Sequence, residues 1–186
     1  YRRVENAAAA GAHLLAENHL VGWFQGRMEF GPRALGNRSI LANPKFPENT
    51  DRVNEAVKFR EHWRPFAPSV LSERAGDYFE DFCESPYMIL SFWANKARAI
   101  EIPAVIHVDG SGRVQSVRRE VNPRYYYLIA EFGRRTGTPV VLNTSFNLKG
   151  DPIVCSPKEA VETFYTSGLD DLVIGDFVVS KTMALQ

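Results

Sequence analysis

Residues 22–43, GWFQGRMEFGPRALGNRSILAN, place Arg27, Arg33 and Arg38 among Gly26, Gly31 and Gly36, with Pro32 at a bend. Glycine has no Cβ, so backbone N–H groups can close on a ligand. Arginine adds a planar fork of donors that matches phosphate or carboxylate. Together they predict a loop that lies against an anion. Arg33, directly after the Gly-Pro bend, is the arginine expected on the ligand. Arg27 could equally pair with Glu29 and brace the loop.

Two further constellations join this one. In Lys58-Phe59-Arg60-Glu61-His62-Trp63-Arg64-Pro65-Phe66, cations cluster where a helix is expected to end. There they could be solvated charges favoured by the helix dipole, with Trp63 and Phe66 as core. Two arginine clusters repel each other, however, unless an anion or a carboxylate such as Glu29, Glu55 or Glu61 lies between them. The third constellation is Leu142-Asn143-Thr144-Ser145-Phe146-Asn147-Leu148-Lys149-Gly150-Asp151-Pro152. A short apolar strand running into amides and hydroxyls is where α/β proteins put ligand contacts. The same residues could instead cap their own backbone in an Asx turn. Arg113, after a Gly turn, is a weaker candidate. The four histidines show no metal-ligand spacing, His107 reads as core, and no nucleophile stands out. Neither a P-loop nor a G-x-G-x-x-G motif is present.

The chemistry is that of a small anionic ligand. The chain has 186 residues and no net charge, with 22 basic and 22 acidic residues, which argues against a general polyanion binder. Basic residues are nevertheless concentrated: residues 27–64 hold eight Lys or Arg against five acids. Cys83 and Cys155 stand 72 positions apart, which fits neither a metal site nor a disulfide framework and predicts reduced thiols in a cytoplasmic protein. No apolar run approaches a membrane span and no secretory signal is visible. The chain begins in or just before a helix without an initiator Met, which suggests a fragment of something longer.

The elements that must position these residues follow from periodicity. Helices are expected over 4–18, 48–58, 73–80 and 123–135. A further helix over 156–167 is marked by Ser156, Pro157 and Glu159 as a capping box. Strands are expected over 21–25, 39–42, 87–93, 104–108, 114–117, 139–142, 172–174 and 177–179, with an extended piece at 66–71 and a loop at 94–101. Asp109-Gly110 predicts a hairpin between 104–108 and 114–117. Strands and helices alternate in part while hairpins intervene, so the fold class is α/β with a mixed sheet.

EFGPRALGNRSILANP, VKFREHWRPFAPSVL and LNTSFNLKGDPIV, in this order, resemble the C-terminal domain of the O-carbamoyltransferases, including the nodulation-factor and antibiotic-tailoring enzymes. The resemblance runs from about residue 6 to residue 181. It implies one YrdC-like domain over 1–186, a twisted mixed parallel/antiparallel sheet with flanking helices. Lys58-Phe59-Arg60 and Thr144-Ser145-Phe146-Asn147 echo the signatures of that fold. The implied activity is formation of carbamoyl-adenylate from ATP and carbamoyl phosphate, with Mg2+ accompanying ATP and no metal site in this chain. An N-terminal domain of the sugar-kinase/heat-shock ATPase type, absent here, would transfer the carbamoyl group to an acceptor hydroxyl. By this resemblance Lys58, Arg64 and Arg33 meet the phosphates and carbamoyl group. Arg113, Asn143, Ser145 and Asn147 hold the adenylate, with Arg60 and Arg38 as second choices. The implied partners are that N-terminal domain and small molecules, not a membrane; a homodimer is compatible. Threonylcarbamoyl-adenylate synthesis and a nucleotide- or RNA-binding module remain the alternatives; the GPRALGNRS segment and the zero net charge weigh against them.

Overall fold

The computed structural model describes residues 1–58, 61 and 63–181. Its elements are β1 (Arg2–Arg3), α1 (Ala7–Ala16), β2 (Val21–Phe24), β3 (Arg38–Ala42), α2 (Glu48–Val53), β4 (Ala67–Leu71), α3 (Ala75–Tyr78), β5 (Ser91–Trp93), α4 (Lys96–Ala99), β6 (Ser111–Arg113), β7 (Gln115–Val117), α5 (Pro123–Thr136), β8 (Val140–Ser145), α6 (Pro157–Thr166), β9 (Asp171–Ile174) and β10 (Phe177–Ser180). Eight strands form one sheet in the order β1-β10-β9-β2-β3-β8-β4-β7, and β5 and β6 pair separately. β2 with β9 and β4 with β7 are parallel; the other pairs are antiparallel. The sheet is therefore mixed, as expected.

The central strands are largely apolar because both of their faces are covered, with polar residues such as Ser69 and Asn143 towards one end of the sheet. Successive side chains alternate between faces. Val21, Trp23, Leu41, Val141 and Val173 pack in one core cluster with Leu15 of α1 and Leu128 and Phe132 of α5. Phe24, Ile40, Leu142 and Leu172 pack in the other, with Val53, Tyr78, Ala160 and Phe164. Each fully buried large side chain contributes roughly 1.5–3 kcal/mol. The capping box of α6 forms as expected: Ser156 Oγ accepts from Glu159 N, and the Glu159 carboxylate accepts from Ser156 N.

Four local expectations are corrected. Residues 87–93 are a strand only from Ser91, because Met88 has φ +56° and breaks the extension. The loop expected at 94–101 holds α4, capped by Asn95, whose side chain accepts from Ala97 N. No hairpin joins 104–108 to 114–117: Pro103–Val105 form a 3-10 turn, β6 pairs with β5, and β7 pairs with β4 in parallel. The helix over 48–58 changes character, since Asn54–Lys58 form a π-helical turn.

Register explains why distant segments meet. Phe24 pairs with Arg38, Ser39 with Ser145, Ala67 with Asn143, and Ser69 with Gln115. Strands β2 and β8 therefore end, and β3, β4 and β7 begin, at one edge of the sheet. The loop between β2 and β3, the segment before β4, the segment before β7 and the polar end of β8 all emerge there.

Candidate functional site

Strand β8 is longer than expected and runs through Asn143 and Thr144 to Ser145, because β3 and β4 flank it and give its backbone partners on both sides. A cavity of about 110 Å³ opens at this end. Arg33, Phe66, Met88, Arg113, Asn143 and Ser145 are among its walls. Three of the expected adenylate contacts and one expected phosphate contact are thus brought together.

The electrostatics of this cavity are unusual. The side chains of Arg33 and Arg113 make no ion pair or hydrogen bond with any described residue, and Arg113 Nε is buried without a partner. Burial, and then the charge of Arg33, hold the Arg113 guanidinium below its ordinary pKa. Two like charges near each other in a partly desolvated hollow raise the energy of the empty site, and an anion between them lowers it. Asn143 completes the floor. Its Nδ2 lies 3.0 Å from each of Ala34 O, Ser69 Oγ and Gln115 Oε1, and its Oδ1 is buried without a partner.

Lys58 lies on the other side of Ser145. It is only 5% exposed, and it closes the π-helical turn. Its Nζ donates to Ser145 O at 2.6 Å, Ser145 Oγ at 3.2 Å, Asn147 Oδ1 at 2.8 Å and Asn147 O at 3.1 Å. Ser145 Oγ also donates to Asn147 Oδ1 at 2.6 Å. Asn147 Nδ2 donates to Leu148 O and Asp151 O, so this residue knits the turn after β8 and does not line the cavity. Arg64 is half exposed, 3.9 Å from the Glu61 carboxylate, and precedes the cavity-lining Pro65. Arg60, a second choice for the nucleotide, lies outside the described residues, as does His62.

Arg38 is the clear departure. It is 4% exposed, and its guanidinium lies 3.5 Å from the centre of the Phe24 ring. Nη1 donates to Gln25 O at 2.6 Å and Asn37 O at 3.0 Å; Nη2 donates to Gly26 O at 3.1 Å and Cys155 O at 3.3 Å. Its donors are turned to backbone carbonyls rather than to a ligand, and burial lowers its pKa.

The loop also differs from the expected cradle. Glu29 Oε1 accepts from Leu35 N at 2.6 Å and from Asn37 N at 2.8 Å. The anion held by these N–H groups is the loop's own carboxylate, and Glu29 does not pair with Arg27. Gly36 is required by space as well as by its φ of +105°: a Cβ there would run into the Tyr125 ring. Trp23 Nε1 donates to Gly36 O at 2.9 Å, fixing the loop to β2. Gln115 and Ser69, linked by a hydrogen bond of 2.6 Å and both touching Asn143, were missed by sequence reasoning. Ser69 had a signal, a polar residue in the middle of an apolar strand, whereas Gln115 opens the short strand Gln-Ser-Val and had none.

Comparison with known proteins places the chain in a family and a fold. The family profile described as Carbamoyltransferase C-terminus matches residues 12–181. Nodulation protein NolO of Bradyrhizobium diazoefficiens is 47% identical over 186 residues, covering 98% of this chain and 34% of that protein. The 3'-hydroxymethylcephem-O-carbamoyltransferase of Amycolatopsis lactamdurans is 40% identical, covering 94% of this chain and 33% of its own length. The chain thus spans about a third of these relatives. In fold it is similar to Sua5 of P. abyssi, solved with L-threonine, with TM-score 0.63 and 15% identity, covering 91% of this chain and 46% of Sua5. Full-length HypF, solved in a phosphate- and nucleotide-bound form, gives TM-score 0.56 and 16% identity, with 90% of this chain and 20% of HypF covered. These are YrdC-like folds, the architecture expected from the sequence. Among the described residues no helix is long and apolar enough to cross a membrane.

Proposed function

We propose, from the premise that this chain belongs to the carbamoyltransferase C-terminus family, that it forms carbamoyl-adenylate from ATP and carbamoyl phosphate for transfer to an acceptor hydroxyl. Mass balance requires one water: ATP, carbamoyl phosphate and water give carbamoyl-adenylate, pyrophosphate and phosphate. The observation that carries the reading is the pair Arg33 and Arg113, without carboxylate partners, on one cavity with Asn143 and Ser145. The reaction gathers two phosphorylated substrates, and fixed cations relieve their mutual repulsion as the transition state forms. Preset positions for both substrates supply much of the remaining rate. Lys58 adds positive charge at the end of β8 and holds Ser145 and Asn147 in register. Arg64, before the cavity-lining Pro65, is the further cation for phosphate. No side-chain nucleophile is needed.

Transfer to the acceptor belongs, in this reading, to an N-terminal domain, since the relatives are about three times as long as this chain. The exposed free thiols Cys83 and Cys155 support a reducing, cytoplasmic setting. The test is isotope exchange between pyrophosphate and ATP. Exchange that depends on carbamoyl phosphate is expected. Exchange without it, or with threonine and bicarbonate in its place, would overturn the assignment.

A further inference from the structure

The loop between β2 and β3 is fastened unevenly. Its last residues are held through their backbone. Ala34 O accepts from Asn143 Nδ2 at 3.0 Å, and Leu35 O accepts from Gln115 Nε2 at 2.9 Å. Gly36 N donates to Ser39 Oγ, and Gly36 O accepts from Trp23 Nε1. On the outgoing side Asn37 Nδ2 donates to Arg27 O at 2.8 Å. Residues 30–33, by contrast, make no hydrogen bond with any described residue. Phe30 at the tip is fully exposed, and nothing lies within 4 Å of where a Cβ on Gly31 would stand. These residues form a free arch. Arg33 stands on its returning leg, where it lines the charged cavity.

Glu29 spans the foot of this arch. Its Oε1 accepts from Leu35 N at 2.6 Å and from Asn37 N at 2.8 Å. The two N–H groups flank Gly36, and its φ of +105° turns them towards one point, a concavity that suits an anionic oxygen. The bond to Leu35 encloses residues 30–34, and joining the ends of so short a stretch removes much of its freedom. Oε2 of the same carboxylate is buried without a partner. The grip therefore runs through one oxygen, and an uncharged acceptor with the same reach would serve it.

We propose that Glu29 is a positioning residue for Arg33: it clasps the backbone at Leu35 and Asn37 and so sets the arch with Arg33 at the cavity before an anion arrives. The inference rests on the anion-binding part of the proposed function and not on the carbamoyl chemistry. With the clasp closed, Arg33 is already in place when the ligand comes. With the clasp open, the arch and its arginine must be ordered during binding, and ordering one long side chain costs about tenfold in affinity.

The test titrates inorganic phosphate, at constant ionic strength, against the parent, Glu29→Ala, Glu29→Gln and Glu29→Asp. Amide hydrogen exchange is followed at Leu35 and Asn37, with the amides of β2 and β3 as the check that the fold is kept. Glu29→Gln keeps the reach and loses the charge; Glu29→Asp keeps the charge and is one methylene shorter. Glu29→Ala and Glu29→Asp should bind phosphate about tenfold more weakly and lose protection at Leu35 and Asn37. Glu29→Gln, whose neutral acceptor is the weaker one, should stay within about threefold of the parent. In an Arg33→Met background Glu29→Ala should cost less than about twofold, because the two residues act through one another. Equal phosphate affinity in the parent and Glu29→Ala overturns the proposal. So does affinity kept by Glu29→Asp and lost by Glu29→Gln, which would assign the role to charge. The same loss with and without Arg33 also refutes it, as a general loosening of the loop. A parent that binds no phosphate removes the anion site and the clasp together. The expected binding pattern without pyrophosphate exchange overturns the carbamoyl-adenylate reading alone and supports the clasp.

Discussion

Nζ of Lys58 donates to the carbonyl oxygen of Ser145 at 2.6 Å. The π-helical turn that ends at Lys58 is thereby tied to the last residue of β8. A π turn inserts one more residue per turn than an α-helix and is frequent at functional sites. Here it delivers a lysine to two residues of the polar strand end.

Lys58→Met keeps much of the side-chain volume and removes the charge. Charge-assisted hydrogen bonds contribute about 1.5–3 kcal/mol each, and two residues, Ser145 and Asn147, lose their common donor. Pyrophosphate exchange should fall by about a hundredfold, with a drop in unfolding midpoint on the order of ten degrees. Exchange at the parent rate would remove Lys58 from the site.

The pair Arg33 and Arg113 should behave as groups kept for a ligand. Replacing either by Met removes a repulsion, so stability without ligand should stay level or rise by up to about 1 kcal/mol. Phosphate, compared with chloride at equal ionic strength, should raise the unfolding midpoint of the parent and do so much less for either variant. A marked loss of stability in both variants would show that these arginines are structural instead.

Arg38 should give the opposite result. Its guanidinium serves four backbone carbonyls, from Gln25, Gly26, Asn37 and Cys155. Arg38→Met leaves those acceptors without their donor and should cost about 2–3 kcal/mol of stability in denaturant unfolding. Arg38→Lys should recover little of it, because one ammonium cannot span the fork. An unchanged midpoint for Arg38→Met would contradict the structural role.

Stability should fall at alkaline pH in part through Tyr78. Burial, and then the charge of Glu101, push its phenol up to about 12 from 10.0. The folded state therefore keeps the proton that the unfolded chain gives up. The contribution is complete below pH 10 and is lost as pH rises from 10 towards 12. Tyr78→Phe should flatten this limb of a pH-dependent unfolding curve. A slope identical to the parent's would refute the assignment.

Much of the scaffold could be read from the chain alone. The helix over 156–167 follows from Ser156, Pro157 and Glu159, three neighbours whose cap needs nothing distant. The central strands 21–24 and 140–142 follow from apolar runs, because burial on both faces leaves no polar position. The strand expected at 104–108 failed because its apolar residues serve a 3-10 turn, and Ala104 N donates to Pro44 O, a partner far away in sequence.

The residue types of the site were equally legible: arginines framed by glycines, and amides and hydroxyls at a strand end, announce an anion. What composition and spacing determine is the inventory of donors, the two-faced sheet and the expectation of an anionic ligand. Which donors face the cavity was decided only by the tertiary structure. Arg33 and Arg38 stand five positions apart in one segment, yet one lines the cavity and the other is buried against carbonyls and Phe24. The difference comes from register: Arg38 pairs with Phe24 inside the ladder, whereas Arg33 lies beyond it, where β8 and the segments before β4 and β7 also emerge. A charge in the ladder must find its partners within the protein, and a charge at the edge is left for what binds there.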